Sequence, residues 1–219
     1  MSIRLAIFDL DGTLLDTSPG ILESVCYAAE KLGYPSLPRE RLLTFIGPPL
    51  KASFMRCWGC DEAEAERLTE AYREHYRGGA LLYARPYEGI AELLEALRQD
   101  GLRLAVATNK PQAFSERILR HFELDRCFHV IHGADFEGQL TKADLIRACA
   151  ADAGADASDC VMIGDTEHDA RGAEEAGVPF LAVTYGFGFR RAEDVSFPHV
   201  GTADSPAGIR RILDETESE

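Results

Sequence analysis

IFDLDGTLLD, residues Ile7 to Asp16, is the stretch whose reading decides the fold. A strand-like apolar run from Ile3 to Phe8 breaks off at two aspartates, Asp9 and Asp11, followed at once by Gly12 and Thr13. Asp9 stands between Phe8 and Leu10, where a strand would ordinarily carry another apolar side chain. A turn needs only Asp-Gly, so the first aspartate asks for a reason beyond chain reversal.

Beyond this stretch the pattern is helical as far as about Arg77. Ser18-Pro19 reads as an N-cap followed by proline at the first helical position; apolar residues recur to Leu32, and Gly33 stops the helix. A short helix is expected over 39–45, closed by Gly47-Pro48-Pro49, which reads as a loop continuing into Leu50-Lys51. Asp61 with Glu64 three residues on has the form of a capping box opening a polar helix to Arg77. After Pro86, helices expected over 88–99, 111–121, 141–153, 168–176 and from Ser205-Pro206 alternate with short apolar strands at 103–107, 128–132, 161–163 and 180–184. Such alternation implies a parallel sheet covered by helices on both faces. The expected fold is therefore α/β: a Rossmann-like doubly wound parallel sheet core from 1–15 and 85–219, with an α-helical cap inserted over 16–84.

Composition narrows the function. The 219 residues are 46% hydrophobic, enough to build a core, and 23 Lys and Arg against 37 Asp and Glu give a formal net charge of −14. That balance excludes a general nucleic-acid binder or anionic-membrane binder, both of which need a basic surface. An anionic substrate would have to be attracted locally. No segment approaches the roughly 18 apolar residues of a membrane span, and the N-terminal run is short, broken by Arg4 and followed by no small-residue cleavage site. A cytoplasmic enzyme, monomer or homodimer, is the expectation. Of the six cysteines, Cys57 and Cys60 form a lone C-x-x-C without the second pair or nearby histidines of a zinc site. All six read as buried or half-buried free thiols.

In a doubly wound sheet, ligands bind beyond the carboxyl ends of the strands. Strand one delivers Asp9-Leu10-Asp11-Gly12-Thr13, the strand at 103–107 delivers Thr108-Asn109-Lys110, and the strand at 161–163 delivers Gly164-Asp165 with Asp169 four residues on. Thr141-Lys142 opens the helix of the intervening crossover. Each element alone has a plainer reading: a capped turn, a helix cap, a solvated lysine. Together they make several carboxylates, a lysine and a hydroxyl at one end of one sheet, the inventory for phosphoryl transfer on a hard cation.

On these residues the sequence resembles the haloacid dehalogenase superfamily, in the branch with a helical cap after the first strand. Asp9-x-Asp11-Gly12-Thr13 matches the first family motif, Thr108 the second, Lys142 the third, and Gly164-Asp165-x-x-x-Asp169 the fourth. Gly47-Pro48-Pro49-Leu50 and Met162-Ile163-Gly164-Asp165 are similar to the phosphoglycolate-phosphatase-like and 5′-nucleotidase-like members. Where members often carry Lys-Pro in the third motif, Lys142 here precedes Ala143. The resemblance implies a Mg²⁺-dependent, phosphoglycolate-phosphatase-like enzyme that hydrolyses a small phosphorylated metabolite through an aspartyl-phosphate. Asp9 would be the nucleophile and Asp11 the general acid and base. Mg²⁺ would sit on the Asp9 carboxylate, the Asp11 backbone carbonyl and Asp165, with Asp169 and Thr13 in support. Thr108, the Asn109 backbone and Lys142 would hold phosphate. Lys51 in the cap reads equally as a substrate contact or a solvated lysine at a helix start. A 5′-nucleotidase or a phosphomutase of the same superfamily keeps all four motifs; a non-catalytic binding module would be expected to have lost one.

Overall fold

Every residue of β1 (Leu5–Phe8) is buried, as a strand must be when both faces of its sheet are covered. The computed structural model of the protein describes residues 3–135 and 139–218. After β1 come two short strands, β2 (Leu15–Asp16) and β3 (Arg85–Pro86), which form a two-stranded sheet of their own. Then follow β4 (Arg103–Pro111), β5 (Val130–Ala134), β6 (Cys160–Gly164), β7 (Phe180–Val183) and β8 (Gly201–Ala203). Apart from β2 and β3 these strands form one sheet in the order β5-β4-β1-β6-β7-β8, with every pairing parallel. The chain runs from β1 outward through β4 to β5, then returns beside β1 with β6 and runs the other way. The topological switch point lies between β1 and β6, where a crevice forms at the carboxyl ends. The register sets Phe8 beside Val106 on one side and Ile163 on the other, so the residues following these three strands emerge at one level.

The chain divides into two compact units, one of Met1–Asp16 with Pro86–Glu219 and the other Thr17–Arg85. The second is helical: α1 (Ser18–Lys31), α2 (Arg39–Leu43), α3 (Leu50–Trp58) and α4 (Glu62–Gly78). Ile21, Leu22, Val25, Ala28 and Ala29 give α1 a buried stripe at helical spacing, and α1 packs on α4. The capping box at Asp61 and Glu64 is formed: Asp61 Oδ1 accepts from the Glu64 amide at 2.8 Å and Glu64 Oε2 from the Asp61 amide at 3.1 Å. One expectation changes here: Ser18 is the first helical residue rather than the cap, and Thr17 before it makes no side-chain capping bond. The loop ends at Pro49, and Leu50 and Lys51 open α3, the helix-start reading of Lys51, because two prolines end just where a helix can start.

In the sheet unit the helices are α5 (Ile90–Gln99), α6 (Gln112–His121), α7 (Lys142–Ala153), α8 (Glu167–Ala176) and α9 (Pro206–Ser218). Leu145, Ile146 and Cys149 of α7 and Ala170 and Ala173 of α8 share one buried cluster with Leu5, Ile7, Ala105 and Met162 of the sheet. The alternate strand residues Ala6, Phe8, Leu104 and Val106 are buried as well. β5 begins two residues later than the pattern suggests, since a 3₁₀ turn takes up Asp125–Cys127. β8, only Gly-Thr-Ala, carries no apolar run to announce it. Cys26 is exposed, contrary to the expected burial, while Cys149 and Cys160 are buried and Cys57 is half-buried.

Candidate active site

Asp9 follows β1 directly, and its amide extends the ladder by donating to Ile163 O at 2.9 Å. The chain then turns tightly: the Leu14 and Leu15 amides both donate to Leu10 O, and Gly12 donates to Leu15 O. Gly12 has φ +91°, and a Cβ there would overlap the carboxylate of Asp165. Only glycine meets both demands. That is the local reason for the glycine after Asp-x-Asp: the turn brings its own backbone against the Asp165 carboxylate at the end of β6.

Lys142, the first residue of α7, is 7% exposed. Its Nζ donates to Asp9 Oδ1 at 2.7 Å and to Ala107 O at 2.9 Å. It also lies 2.8 Å from Asp169 Oδ1, an ion pair without the direction of a hydrogen bond. Thr141 caps α7 through Asp144 and fixes where the lysine begins, and Gly172 on α8 leaves room for the lysine stem. Asp169 closes its own helix start: Oδ2 accepts from the Thr166 amide at 3.0 Å and the Thr166 hydroxyl at 2.7 Å. Asp165 is fully buried; Oδ2 accepts from the Phe187 amide at 2.6 Å and the Gly188 amide at 3.1 Å, and the Thr13 hydroxyl lies 3.5 Å from Oδ1.

The electrostatics follow from burial. Desolvation raises the Asp9 carboxyl to about 7, against the pull of Lys142 and with Asp169 and Asp11 adding to the rise. Asp165 is raised well above the usual carboxylate range by burial and then by Asp169 and Asp9. Burial would lower Lys142, but the carboxylates of Asp169 and Asp9 outweigh it and hold the ammonium above its ordinary value. Asp9, Asp165 and Asp169 each offer an oxygen within 4.8 Å of the others'. Three buried carboxyls, two of them paired with Lys142, make an all-oxygen donor set that suits a hard divalent cation able to take the place of their protons. The residues fit that group.

Of the sequence candidates, the structure brings Asp9, Lys142, Asp165 and Asp169 together, with Thr13 against Asp165. The Asp11 carboxylate turns elsewhere: Oδ2 pairs with Lys110 Nζ at 3.0 Å, and Oδ1 is buried without a hydrogen-bond partner among the described residues. It is therefore Asp169 whose carboxylate joins Asp9 and Asp165, while the expectation for Asp11 concerned its backbone carbonyl. Thr108 is buried and its Oγ1 accepts from the Lys110 amide at 3.2 Å; Asn109 is half-buried. Lys51 lies in the helical unit, where its Nζ is paired with Glu62 at 2.8 Å and Glu66 at 3.4 Å. His168 is exposed.

Two features of the site carry little local signal. Lys110, in Thr-Asn-Lys, has no role that the sequence pattern assigns. It is 7% exposed and reaches Asp11 because β4 bulges after Thr108, its pairing with β5 jumping from Thr108 to Pro111. The segment Tyr185–Gly188 after β7 matches no motif, and its one signal is a glycine pair beyond a parallel strand, at the ligand end of the sheet.

Carboxylates and a lysine at the switch point of a parallel sheet are the equipment of a class, the phosphoric monoester hydrolases. Residues 6–183 match the haloacid dehalogenase-like hydrolase family, and the chain belongs to it. It is 44% identical to the 5′-nucleotidase of Pseudomonas aeruginosa, over 95% of this chain and 94% of that one. To the phosphoglycolate phosphatase of Agrobacterium fabrum it is 34% identical, over 84% and 81%. The solved structure of a predicted phosphatase from Clostridium acetobutylicum superposes with a TM-score of 0.88 at 34% identity, covering 100% of both chains. The protein is thus an enzyme, a phosphatase of this family. No helix among the described residues is long and apolar enough to cross a membrane.

Proposed function

We propose that the enzyme is a Mg²⁺-dependent phosphatase of small phosphorylated metabolites that forms a phosphate ester on Asp9. The observation that carries this reading is the Asp9 carboxylate held by Lys142 beside Asp165 and Asp169. An Asp9 oxygen attacks phosphorus, the ester P–O bond breaks toward the leaving alkoxide, and Asp11 Oδ1, which has no competing partner among the described residues, delivers the proton. In the second step Asp11 takes a proton from water as it attacks the aspartyl-phosphate, releasing inorganic phosphate and restoring Asp9. Thr108, the Asn109 amide and Lys142 hold the phosphate oxygens. Mg²⁺ on Asp9, Asp165 and the Asp11 carbonyl, with Asp169 in support, would neutralise the phosphate so that an anionic nucleophile can approach it.

The higher likeness to the 5′-nucleotidase supports a nucleoside 5′-monophosphate as the substrate class over a phosphorylated hydroxy acid. The choice among esters is assigned to the helical unit, since the carboxylate–lysine group would treat all of them alike. Turnover of 5′-nucleotides and of phosphoglycolate, measured before and after exhaustive chelation and again with Mg²⁺ restored, tests the cation. Acid quenching followed by mass analysis should find one phosphate on Asp9, absent in Asp9→Asn. Unchanged turnover under chelation, or phosphate trapped elsewhere, overturns the proposal.

A further inference from the structure

Asp165 is held by a segment that no motif covers. Its Oδ2 accepts two consecutive backbone N–H groups, Phe187 and Gly188, and its own backbone carbonyl accepts from Phe189 at 2.8 Å. The loop is tied at both sides: Tyr185 Oη donates to Thr13 O at 2.9 Å, and Arg190 Nη1 donates to Gly186 O at 3.0 Å. Closeness is possible only because the loop lacks side chains where it meets the aspartate. A Cβ on Gly186 would overlap Gly12 O and the Asp165 carboxylate, and one on Gly188 would overlap Asp165 O. Neither glycine is at positive φ, so the requirement there is space rather than conformation.

We infer that the Tyr185–Gly188 loop restricts Asp165 to a single free oxygen and so makes the site select the smaller cation. Two N–H donors occupy the lone pairs of Oδ2, which leaves Oδ1, met only by the Thr13 hydroxyl at 3.5 Å among the described residues, to serve a cation. Ca²⁺ readily takes both oxygens of a carboxylate and six to eight ligands in all, whereas Mg²⁺ demands a compact octahedron served by single oxygens. A carboxylate locked to one oxygen therefore penalises Ca²⁺ more than Mg²⁺. Phe187 and Gly188 are positioning residues, acting through Asp165 by their backbones, and Gly186 is what lets them reach it. The inference rests on the proposed cation site.

The test is equilibrium binding to the full-length protein, with Mn²⁺ as the spectroscopic probe and Mg²⁺ and Ca²⁺ as competitors, for wild type, Gly186→Ala and Gly188→Ala. Circular dichroism establishes that each variant is folded. Wild type should prefer Mg²⁺, and either variant should lower the Mg²⁺-over-Ca²⁺ preference by about tenfold or more, as expected when a second carboxylate oxygen is released. An unchanged ratio in a folded variant overturns the inference, even if both ions bind more weakly. Failure of wild type to bind any of the three overturns the cation site itself, a separate result. If neither variant folds, amide exchange in wild type decides: Phe187 and Gly188 should be protected without cation and stay so with Mg²⁺. Exchange at the rate of an open loop overturns the inference.

Discussion

Lys110 shows how much a single buried charge depends on its neighbours. A lysine at 7% exposure is tolerated only when paired, and Asp11 is a partner at 3.0 Å. The pair holds Oδ2 and leaves Oδ1 for the proton transfer proposed above. Lys110→Met should therefore impair that proton transfer, and it should do so selectively. Because kcat/KM reports events up to the first irreversible step, an alkyl phosphate needing a proton at its leaving oxygen should lose about ten- to a hundredfold. A nitrophenyl phosphate, whose leaving group needs none, should lose little. Equal losses for the two esters would mean that Lys110 has only a structural role. Lys51 teaches the opposite lesson. In sequence it was as eligible for a ligand as any lysine, but Glu62 and Glu66 of α4 come to it only when α3 and α4 pack, and no local signal announces that pairing.

At the scale of elements, what was legible were the boundaries governed by local chemistry. Thr141 with Asp144, Asp61 with Glu64 and Pro206 each open a helix where the residue types require it. The three strand-end motifs were legible too, because a polar residue displaced from an apolar run has few explanations. What stayed hidden was whatever another element creates: α3 behind two prolines, β8 without an apolar residue larger than alanine, the bulge that delivers Lys110, the loop that grips Asp165. Gly172 on α8 belongs to this second kind. Read locally it is a helix glycine, and Gly→Ala should stabilise by up to about 1 kcal/mol. Its Cβ would, however, overlap the Lys142 stem, and that lysine is anchored at its far end by Asp9 and Ala107 and cannot swing away. Overpacking of this kind costs about 1–3 kcal/mol, so Gly172→Ala should destabilise by about 1–2 kcal/mol net in urea unfolding. A stabilised variant would show that the lysine stem is freer than its three contacts imply.

For the molecule as a whole, the cluster links pH, cation and stability. Asp9 has its carboxyl raised to about 7 from an ordinary 3.8, and Asp165 moves in the same direction. A carboxyl raised by folding binds its proton more tightly in the folded state than in the unfolded one. Without cation, stability is therefore greatest below about pH 4 as far as these groups are concerned, and it falls as pH rises toward 7. A divalent cation competes with those protons, so its stabilising effect should grow over the same window. At a concentration a hundredfold above Kd, binding contributes about 2.7 kcal/mol, which for a chain of this size raises Tm by roughly 5–10 °C. The expected result is a Mg²⁺-induced rise of that order at pH 8 and a much smaller one at pH 5, at matched ionic strength so that screening of the −14 net charge is held constant. Equal rises at the two pH values would mean that the cation acts on the general surface charge rather than at Asp9, Asp165 and Asp169.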